Sequence, residues 1–342
     1  MTVAITEHVA KTDRHTTFYL ACGAADAPLI VFLHGWPELS ISWRHQLPCF
    51  AALGFRAIAP DMRGYGRSGI YSRHEDYAIE HAVADMLELL AALGRDRAVW
   101  VGHDLGSPVV WSLASHHPDR CFGVANLCVP YLPQGFGVGT MLPLIDRALY
   151  PEAKYPVGQW EYQLFYEEHF DKASATFEAN VANTIKALFR AGSASGKGKP
   201  SRTAQTRIDG GWFGGAAQAP DVPMDPAVLT EEDLHKYVAA LQRTGFFGPD
   251  SWYMNQMRNW SFAAKAANDG KLSLPVLFLH AAYDYVCQTI DSRLADPMRQ
   301  SCRDLTEVMV QSGHWMAQEK QVAVNAALAR WLATRFPELW TR

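Results

Sequence analysis

Residues 98–107, AVWVGHDLGS, decide the expected fold, because they join a short apolar run to a turn flanked by two glycines. Residues 98–101 are typical of a buried strand. In a Gly-x-nucleophile-x-Gly turn between strand and helix, the central residue is held on a strained backbone, and the flanking positions leave no room for a Cβ atom. Gly102 and Gly106 occupy those positions. The pattern therefore predicts Asp104 as a nucleophile on a sharp strand-to-helix turn.

An aspartate at this position favours attack on saturated carbon rather than on a carbonyl group. A carboxylate that attacks an alkyl centre forms an ester, which water can then hydrolyse. The alternative for Asp104 is a buried aspartate that caps a helix starting near Pro108, but it explains less of the motif. Ser107 belongs to that helix and does not fit the turn.

The composition indicates a globular protein with a large core. The 342 residues are 49% hydrophobic and 19% charged, and α/β proteins of this length often form one domain with an insertion. The net charge of −4, with no long run of either sign, favours a small neutral substrate over nucleic acid or a membrane surface. Because neither a signal peptide nor a membrane-spanning run is evident, we expect a cytoplasmic protein.

Neither a metal nor a cofactor is expected. The six cysteines lie far apart, without a CxxC pair, and are predicted to be reduced and buried. The 13 histidines are scattered, and HExxH does not occur. Residues 64–69, GYGRSG, match GxGxxG but lack a clear following helix, so a core turn is preferred to a dinucleotide site.

Short apolar runs alternate with helical patterns along the first 130 residues. Residues 77–93 carry apolar side chains at helical spacing, and Gly94 follows as a C-terminal cap. Runs typical of strands buried on both faces of a parallel sheet occur at 29–33, 55–59, 98–101, 124–129 and, much later, 276–279.

The alternation stops after Pro130 and returns near Leu274. The stretch between them is rich in helical pattern and aromatic residues, as in residues 160–170, WEYQLFYEEHF. Its segment 192–223 is rich in Gly, Ser, Pro and Ala and is predicted to be a long loop, either a mobile lid or a tolerated insertion. We expect residues 1–133 and 268–342 to form a split α/β core. Residues 134–267 are expected to form a helical cap inserted between these two parts.

A histidine on a late loop is the expected base, because the chain order in this kind of site is nucleophile, acid, histidine. The segment SGHW places His314 on such a loop, after an apolar run at 305–310. His103 and His34 compete in sequence, but His103 points off the strand beside the nucleophile and His34 lies on another turn. We therefore take His314 as the candidate base.

The acid that orients this histidine is expected after an earlier strand. Asp284 follows the run 276–279 closely, and Asp291 is a weaker rival because it lies further along the chain. No carboxylate closely follows the run 124–129, where such an acid could otherwise lie. An aspartate in a solvated loop is the alternative interpretation of Asp284.

Backbone amides beside Asp104 are expected to stabilise the anion formed during ester hydrolysis. The segment HGWP, residues 34–37, directly follows the buried run 29–33. The amides of Trp36 and Leu105 would together form an oxyanion hole. A turn that uses Gly and Pro for its shape alone is compatible with this role.

Together, HGWP, GYGRS, GHDLGS, SGHW and the helical cap resemble the epoxide hydrolases of the α/β-hydrolase superfamily over nearly the whole chain. The fold implied is a mostly parallel twisted sheet flanked by helices, with an inserted cap. The cap segments EYQLFYEEHF and GFFGPDSWYMNQMRNW resemble those that carry the ring-opening tyrosines, which by matching motifs are Tyr162 and Tyr253. Leu105 stands where many members have tryptophan, which puts a dehalogenase-type halide site and the pocket shape in doubt.

The resemblance implies a cofactor-free enzyme that converts epoxides to vicinal diols. Asp104 would attack the ring, and His314, oriented by Asp284, would activate water for ester hydrolysis. Opening an epoxide releases an alkoxide that needs a proton, which a phenol with a pKa of about 10 can supply, whereas a halide leaves without one. Tyr162 and Tyr253 would supply it.

Two other functions stay open. A haloalkane or haloacid dehalogenase shares the aspartate and histidine, and the same fold also serves non-catalytic small-molecule binding proteins, although these need no water-activating base. An apolar pocket for a small aryl or alkyl epoxide is expected beside the nucleophile. The candidate lining residues are His34, Pro37, His103, Trp160 and Phe165. The aromatic residues among them fit the packed core of the cap equally well.

Overall fold

An eight-stranded sheet forms the centre of the structure, a computed structural model that describes residues 4–340. The strand order is β1-β2-β4-β3-β5-β6-β7-β8. The strands from β4 and β3 through β8 pair in parallel, whereas β1 and β2 add antiparallel pairs at one edge. The predicted mostly parallel sheet is therefore confirmed. The strands are Thr6–Lys11 (β1), Thr16–Cys22 (β2), Leu29–Leu33 (β3), Arg56–Pro60 (β4), Ala98–His103 (β5), Cys121–Leu127 (β6), Leu272–Ala281 (β7) and Cys302–Val310 (β8).

Helices cover both faces of this sheet. Ile30 and Phe32 of β3 pack in one apolar cluster, and Val31 and Leu33 pack in the other. A strand buried on both faces needs apolar residues at consecutive positions, which explains the continuous runs in the sequence. The helices are Gln46–Ala52 (α1), Ile79–Ala92 (α2), Gly106–His116 (α3), Val138–Met141 (α4), Glu161–Glu178 (α5), Val181–Leu188 (α6), Glu231–Thr244 (α7), Phe247–Ser251 (α8), Gln256–Ala263 (α9), Asp296–Ser301 (α10), Met316–Glu319 (α11) and Gln321–Arg335 (α12).

The sheet places the turns that carry the candidate residues at one edge. Leu33 at the end of β3 pairs with Gly102 near the end of β5, so the turns that follow these two strands lie side by side. Leu279 of β7 pairs with Val308 of β8 in the same parallel arrangement. The carboxyl ends of parallel strands meet at one edge, where ligands of open α/β sheets bind.

Between β6 and β7, the described chain contains helices α4 to α9, short 3₁₀ turns and loops. Segment 192–223 holds 3₁₀ turns at Ala194–Gly196, Arg202–Gln205 and Trp212–Gly215. No helix within residues 4–340 is both long and apolar enough to cross a membrane. No disulfide joins any of the six cysteines, all of which lie in the described part of the chain.

Candidate active site

Asp104 lies on the turn between β5 and α3 with a positive φ of 48°. A non-glycine residue in this region of backbone space is strained, which the surrounding packing must sustain. A Cβ atom at Gly102 would lie 2.6 Å from the Asn126 side-chain oxygen, and one at Gly106 would overlap the Leu33 carbonyl. The two glycines are therefore required by close packing beneath the turn.

The Asp104 carboxylate is held against the turn that follows β3. The Trp36 backbone amide donates a hydrogen bond of 2.7 Å to Asp104 Oδ1. A Cβ atom at Gly35 would overlap that same oxygen and would lie 2.6 Å from the Leu105 amide nitrogen. The absence of a side chain at Gly35 thus allows the carboxylate to approach the Trp36 amide and leaves the Leu105 amide uncovered beside the same glycine.

His314, on the loop after β8, lies between two carboxylates. Its Nδ1 is 2.7 Å from Asp284 Oδ2, and its Nε2 is 3.4 Å from Asp104 Oδ2. The second Asp284 oxygen accepts hydrogen bonds of 3.0 Å from two backbone amides of its own loop. The rival acid, Asp291, instead pairs with Lys197 at 2.9 Å. The structure therefore brings together the three residues predicted as nucleophile, base and acid.

The two carboxylates control the protonation of His314. Burial disfavours charge on the imidazole, but Asp284 and Asp104 outweigh it and raise the pKa of His314 well above its ordinary value. Burial also disfavours charge on Asp284, yet His314 and the backbone amides lower the pKa of that carboxyl. The pairing with Asp284 therefore favours the protonated imidazole and the ionised Asp284 carboxylate.

Tyr162 on α5 and Tyr253, both in the segment between β6 and β7, lie together with ring centroids 5.5 Å apart in an edge-to-face contact. Both are buried, and burial is the main cause that raises the pKa of each phenol far above its ordinary value. The Asp104 charge contributes to both shifts, so both hydroxyls lie within its electrostatic reach. Gln163 donates a 3.2 Å hydrogen bond to the Tyr162 hydroxyl oxygen. Both phenols are therefore protonated donors.

A buried ion pair supports the loop of His314. Glu38 Oε2 lies 2.7 Å from His103 Nδ1 and accepts a 3.0 Å hydrogen bond from the Gly35 amide. His103 Nε2 lies 2.8 Å from the His314 carbonyl oxygen. Although burial opposes both charges, the pairing lowers the pKa of Glu38 to about 2 and raises that of His103 to about 10. Glu38 was not predicted from the sequence, because its partner His103 lies 65 residues away and no local pattern marks the contact.

The other predicted pocket residues occupy buried positions. His34 Nδ1 donates to the Gly35 carbonyl at 2.9 Å, and its Nε2 accepts from the Met62 amide at 2.9 Å. Pro37 is buried and follows a cis peptide bond. Trp160 and Phe165 are almost fully enclosed.

A cavity lies between α3 and the helical segment that joins β6 to β7. None of the five predicted pocket residues lines this cavity, which instead extends from Leu105 and Tyr253 towards α9. Its lining includes Leu105, Trp111, Gln163, Tyr253 and Phe262.

One group of side chains has the composition of a metal site. Candidate ligand atoms of His103, Cys128 and His314 lie within 4.8 Å of one another. The ring nitrogens of both histidines already face Glu38, the His314 carbonyl, Asp284 and Asp104. A metal here would have to displace the contacts that hold the candidate base.

Comparisons with known proteins identify the family of this chain. The family model described as alpha/beta hydrolase fold matches residues 28–321. Epoxide hydrolase A of Mycobacterium tuberculosis is 35% identical over 335 residues, covering 96% of this chain and 98% of the relative. Bifunctional epoxide hydrolase 2 of Sus scrofa is 33% identical over 308 residues, or 90% of this chain but only 52% of that longer protein. The crystal structure of epoxide hydrolase A from Mycobacterium thermoresistibile is 30% identical, covers 96% of this chain and 98% of that one, and has a TM-score of 0.79.

The chain therefore belongs to the α/β-hydrolase fold family and, within it, to the epoxide hydrolases. It spans about half the length of the bifunctional relative and nearly all of the mycobacterial ones. The predicted fold and family are thus confirmed.

Proposed function

We propose that this hydrolase converts epoxides to vicinal diols through a covalent ester on Asp104. The observation that carries the proposal is the unequal environment of the two carboxylate oxygens. Oδ1 accepts the Trp36 amide at 2.7 Å, whereas Oδ2 faces His314 at 3.4 Å, with two buried phenols nearby. Oδ2 attacks a ring carbon, the carbon–oxygen bond breaks, and the former ring oxygen becomes an alkoxide.

Tyr162 and Tyr253 stabilise this alkoxide and give it a proton. Their raised pKa values keep the phenols protonated until a stronger base forms beside them. The alkoxide is such a base, so proton transfer leaves the hydroxy ester and a tyrosinate. Hydrogen bonds donated before the transfer lower the barrier because charge develops on the ring oxygen.

Ester formation converts His314 into a base. The ester carries no charge, so one of the two carboxylates that raise the pKa of His314 is neutralised. The imidazolium can then release its proton, which restores the tyrosine that protonated the alkoxide, directly or through water. The neutral imidazole, oriented by Asp284, takes a proton from water as the oxygen attacks the Asp104 carbonyl carbon. Oδ1 becomes the oxyanion facing the Trp36 and Leu105 amides. As it collapses, the bond to the substrate oxygen breaks and that oxygen takes the proton held by His314, which releases the diol. The Asp104 carboxyl group then gives its remaining proton to His314, which restores the carboxylate and the imidazolium.

We propose that residues 134–267 act as the cap over a core formed by residues 1–133 and 268–342. We also propose that the reaction takes place in the cytoplasm.

The aromatic residues near Asp104 fit a small apolar substrate. Trp212 of segment 192–223 stacks on Trp36 at 5.6 Å and contacts Tyr162 at 5.7 Å. These aromatic rings place apolar surface around the turn that contacts Asp104, which favours apolar epoxides.

Trapping the ester tests the two-step scheme. The variant His314→Gln retains the nucleophile but lacks the base, so the ester should form and persist. Intact-protein mass spectrometry after mixing with styrene oxide should show one added substrate mass on His314→Gln and none on Asp104→Asn. Absence of an adduct on folded His314→Gln would refute the covalent route.

The phenols separate epoxide opening from halide displacement. Each acid or base step contributes about 10²- to 10⁴-fold to the rate, so Tyr162→Phe with Tyr253→Phe should nearly abolish diol formation without unfolding the protein. Diol and halide release should be measured side by side on epoxides and haloalkanes. Halide release that exceeds diol formation would point to a dehalogenase instead.

A further inference from the structure

Asp250, a buried carboxylate of the cap, is hydrogen-bonded to Trp36, the residue whose amide contacts the nucleophile. Asp250 on α8 is fully buried. Its Oδ1 accepts a 2.8 Å hydrogen bond from the Trp36 indole Nε1, and its Oδ2 accepts a 2.7 Å bond from the Ser174 hydroxyl on α5. Trp36 lies on the turn after β3, so the first of these bonds joins the cap to the core.

The same residue, Trp36, makes two different hydrogen bonds. Its side chain donates to Asp250, and its backbone amide donates to Asp104 Oδ1 at 2.7 Å. Its ring also packs against Phe177 at 5.3 Å and Trp212 at 5.6 Å. Aromatic packing confines the indole ring, and the hydrogen bond to the carboxylate additionally fixes where its N–H points. Asp250 is therefore the polar contact that anchors the Trp36 side chain.

Asp250 also lies beside the candidate ring-opening residues. Tyr166 stacks on Tyr253 with ring centroids 4.8 Å apart and planes 3° from parallel. After burial, the charge of Asp250 is the largest contributor to the raised pKa of Tyr166. One carboxylate thus borders both the turn that carries the Trp36 amide and the aromatic stack that carries Tyr253.

We propose that Asp250 is a positioning residue for hydrolysis of the ester: it holds the Trp36 indole and so keeps the Trp36 amide at Asp104 Oδ1. This inference rests on the covalent ester of the proposed function. When Oδ2 attacks the epoxide, Oδ1 remains the carbonyl oxygen and becomes the oxyanion only when water attacks. The Trp36 amide therefore matters most in the second step, and loss of Asp250 should slow ester breakdown more than ester formation.

An uncharged acceptor can perform the same task. Burial raises the pKa of Asp250 to about 7, so the fold tolerates a neutral group here. Asparagine retains an oxygen that accepts from the indole N–H, whereas leucine has the size but no acceptor. The groups that contribute to the electrostatic environment of Asp250, or are influenced by it, are Trp36, Tyr65, Tyr166, Ser174 and Glu178.

Rapid-quench mass spectrometry with styrene oxide tests the proposal by timing ester formation and ester breakdown separately. Removal of one oxyanion donor costs about 10²- to 10³-fold, and displacing the Trp36 amide in Asp250→Leu should cost about tenfold or more in breakdown, so that the ester accumulates. Asp250→Asn should restore breakdown close to the wild-type rate. Asp233→Leu is the matched control, because Asp233 also joins the cap to the core, but through Arg44 at 3.0 Å. It should accumulate no ester.

Wild-type breakdown in folded Asp250→Leu, or an equal slowing of both steps, would overturn the proposal. If Asp250→Leu fails to fold, Trp36→Phe removes the same hydrogen bond from the indole side. This variant should also accumulate ester. Ester breakdown at the wild-type rate in Trp36→Phe would likewise overturn the proposal. Lack of any adduct on His314→Gln would instead refute the proposed function. The two failures are therefore distinguishable.

Discussion

Replacing Glu38 by glutamine should destabilise the fold by about 3 to 5 kcal/mol, because it leaves the buried His103 without its counter-charge. The two side chains lie 2.7 Å apart and are both almost completely buried. Glutamine has nearly the same shape and can still accept from the Gly35 amide. The substitution therefore removes the charge with little change in packing.

The pKa of His103 provides a second measure of the magnitude. A rise from 6.5 to about 10 corresponds to about 5 kcal/mol in favour of the protonated form, at the upper end of the expected range. Because this pKa is raised on folding, its stabilising contribution is complete below pH 6.5 and is lost as the pH rises through about 10. The pKa of Glu38 falls from 4.5 to about 2, so its contribution is complete above pH 4.5 and is lost as the pH falls through about 2. The pair therefore stabilises most between pH 4.5 and 6.5.

Urea unfolding followed by tryptophan fluorescence, at about pH 6 and about pH 9.5, measures this difference. The gap between wild type and Glu38→Gln should be widest at the lower pH and should shrink at the higher one. Glu307→Gln is the control, because Glu307 pairs with His280 and Arg299 but is 32% exposed, and such pairs contribute about 1 kcal/mol or less. Equal losses in both variants at pH 6, or a gap that does not change with pH, would refute the reasoning.

Two further substitutions probe the turn around Asp104. Gly35→Ala should reduce diol formation by about 10²-fold or more in a folded protein, since its Cβ would overlap Asp104 Oδ1 and displace an oxyanion contact. Near-normal turnover would contradict the close approach of Gly35 to Asp104 Oδ1. Leu105→Trp should raise KM for styrene oxide more than for propylene oxide, because it fills the cavity beside Tyr253 but leaves the backbone amide in place. Equal changes in KM would show that the phenyl group of styrene oxide binds outside this cavity.

The predictable parts of the fold are those in which burial acts on consecutive residues. Strand β3 is enclosed on both faces, so its five residues are all apolar and the run was evident. Strand β1, TEHVAK, lies at the sheet edge and is mostly exposed, so no apolar pattern marks it. The antiparallel hairpin of β1 and β2 was consequently not predicted, although the parallel sheet was. An edge strand is positioned mainly by backbone pairing with its neighbour, so its residue types show only a weak strand pattern.

The candidate site divides in the same way. Asp104, Asp284 and His314 each follow a strand that ends at one edge of the sheet, so chain order alone predicted that they meet. Glu38 and Asp250 become visible only through long-range contacts, the first with His103 and the second, from α8, with Trp36. No local pattern marks a carboxylate whose role depends on a partner brought near by the fold.

The charge on His103 is required by the two acceptors that its ring faces. Its nitrogens point to the Glu38 carboxylate and to the His314 carbonyl, and neither of these groups can donate a proton. A neutral imidazole has one N–H and satisfies one acceptor, whereas the imidazolium satisfies both. Deprotonation above a pKa of about 10 would therefore release either Glu38, which supports the Gly35 turn, or the backbone of His314. The same ion pair that stabilises the fold thus holds the Gly35 turn and the His314 loop in place, and both contributions should be lost over the same alkaline range.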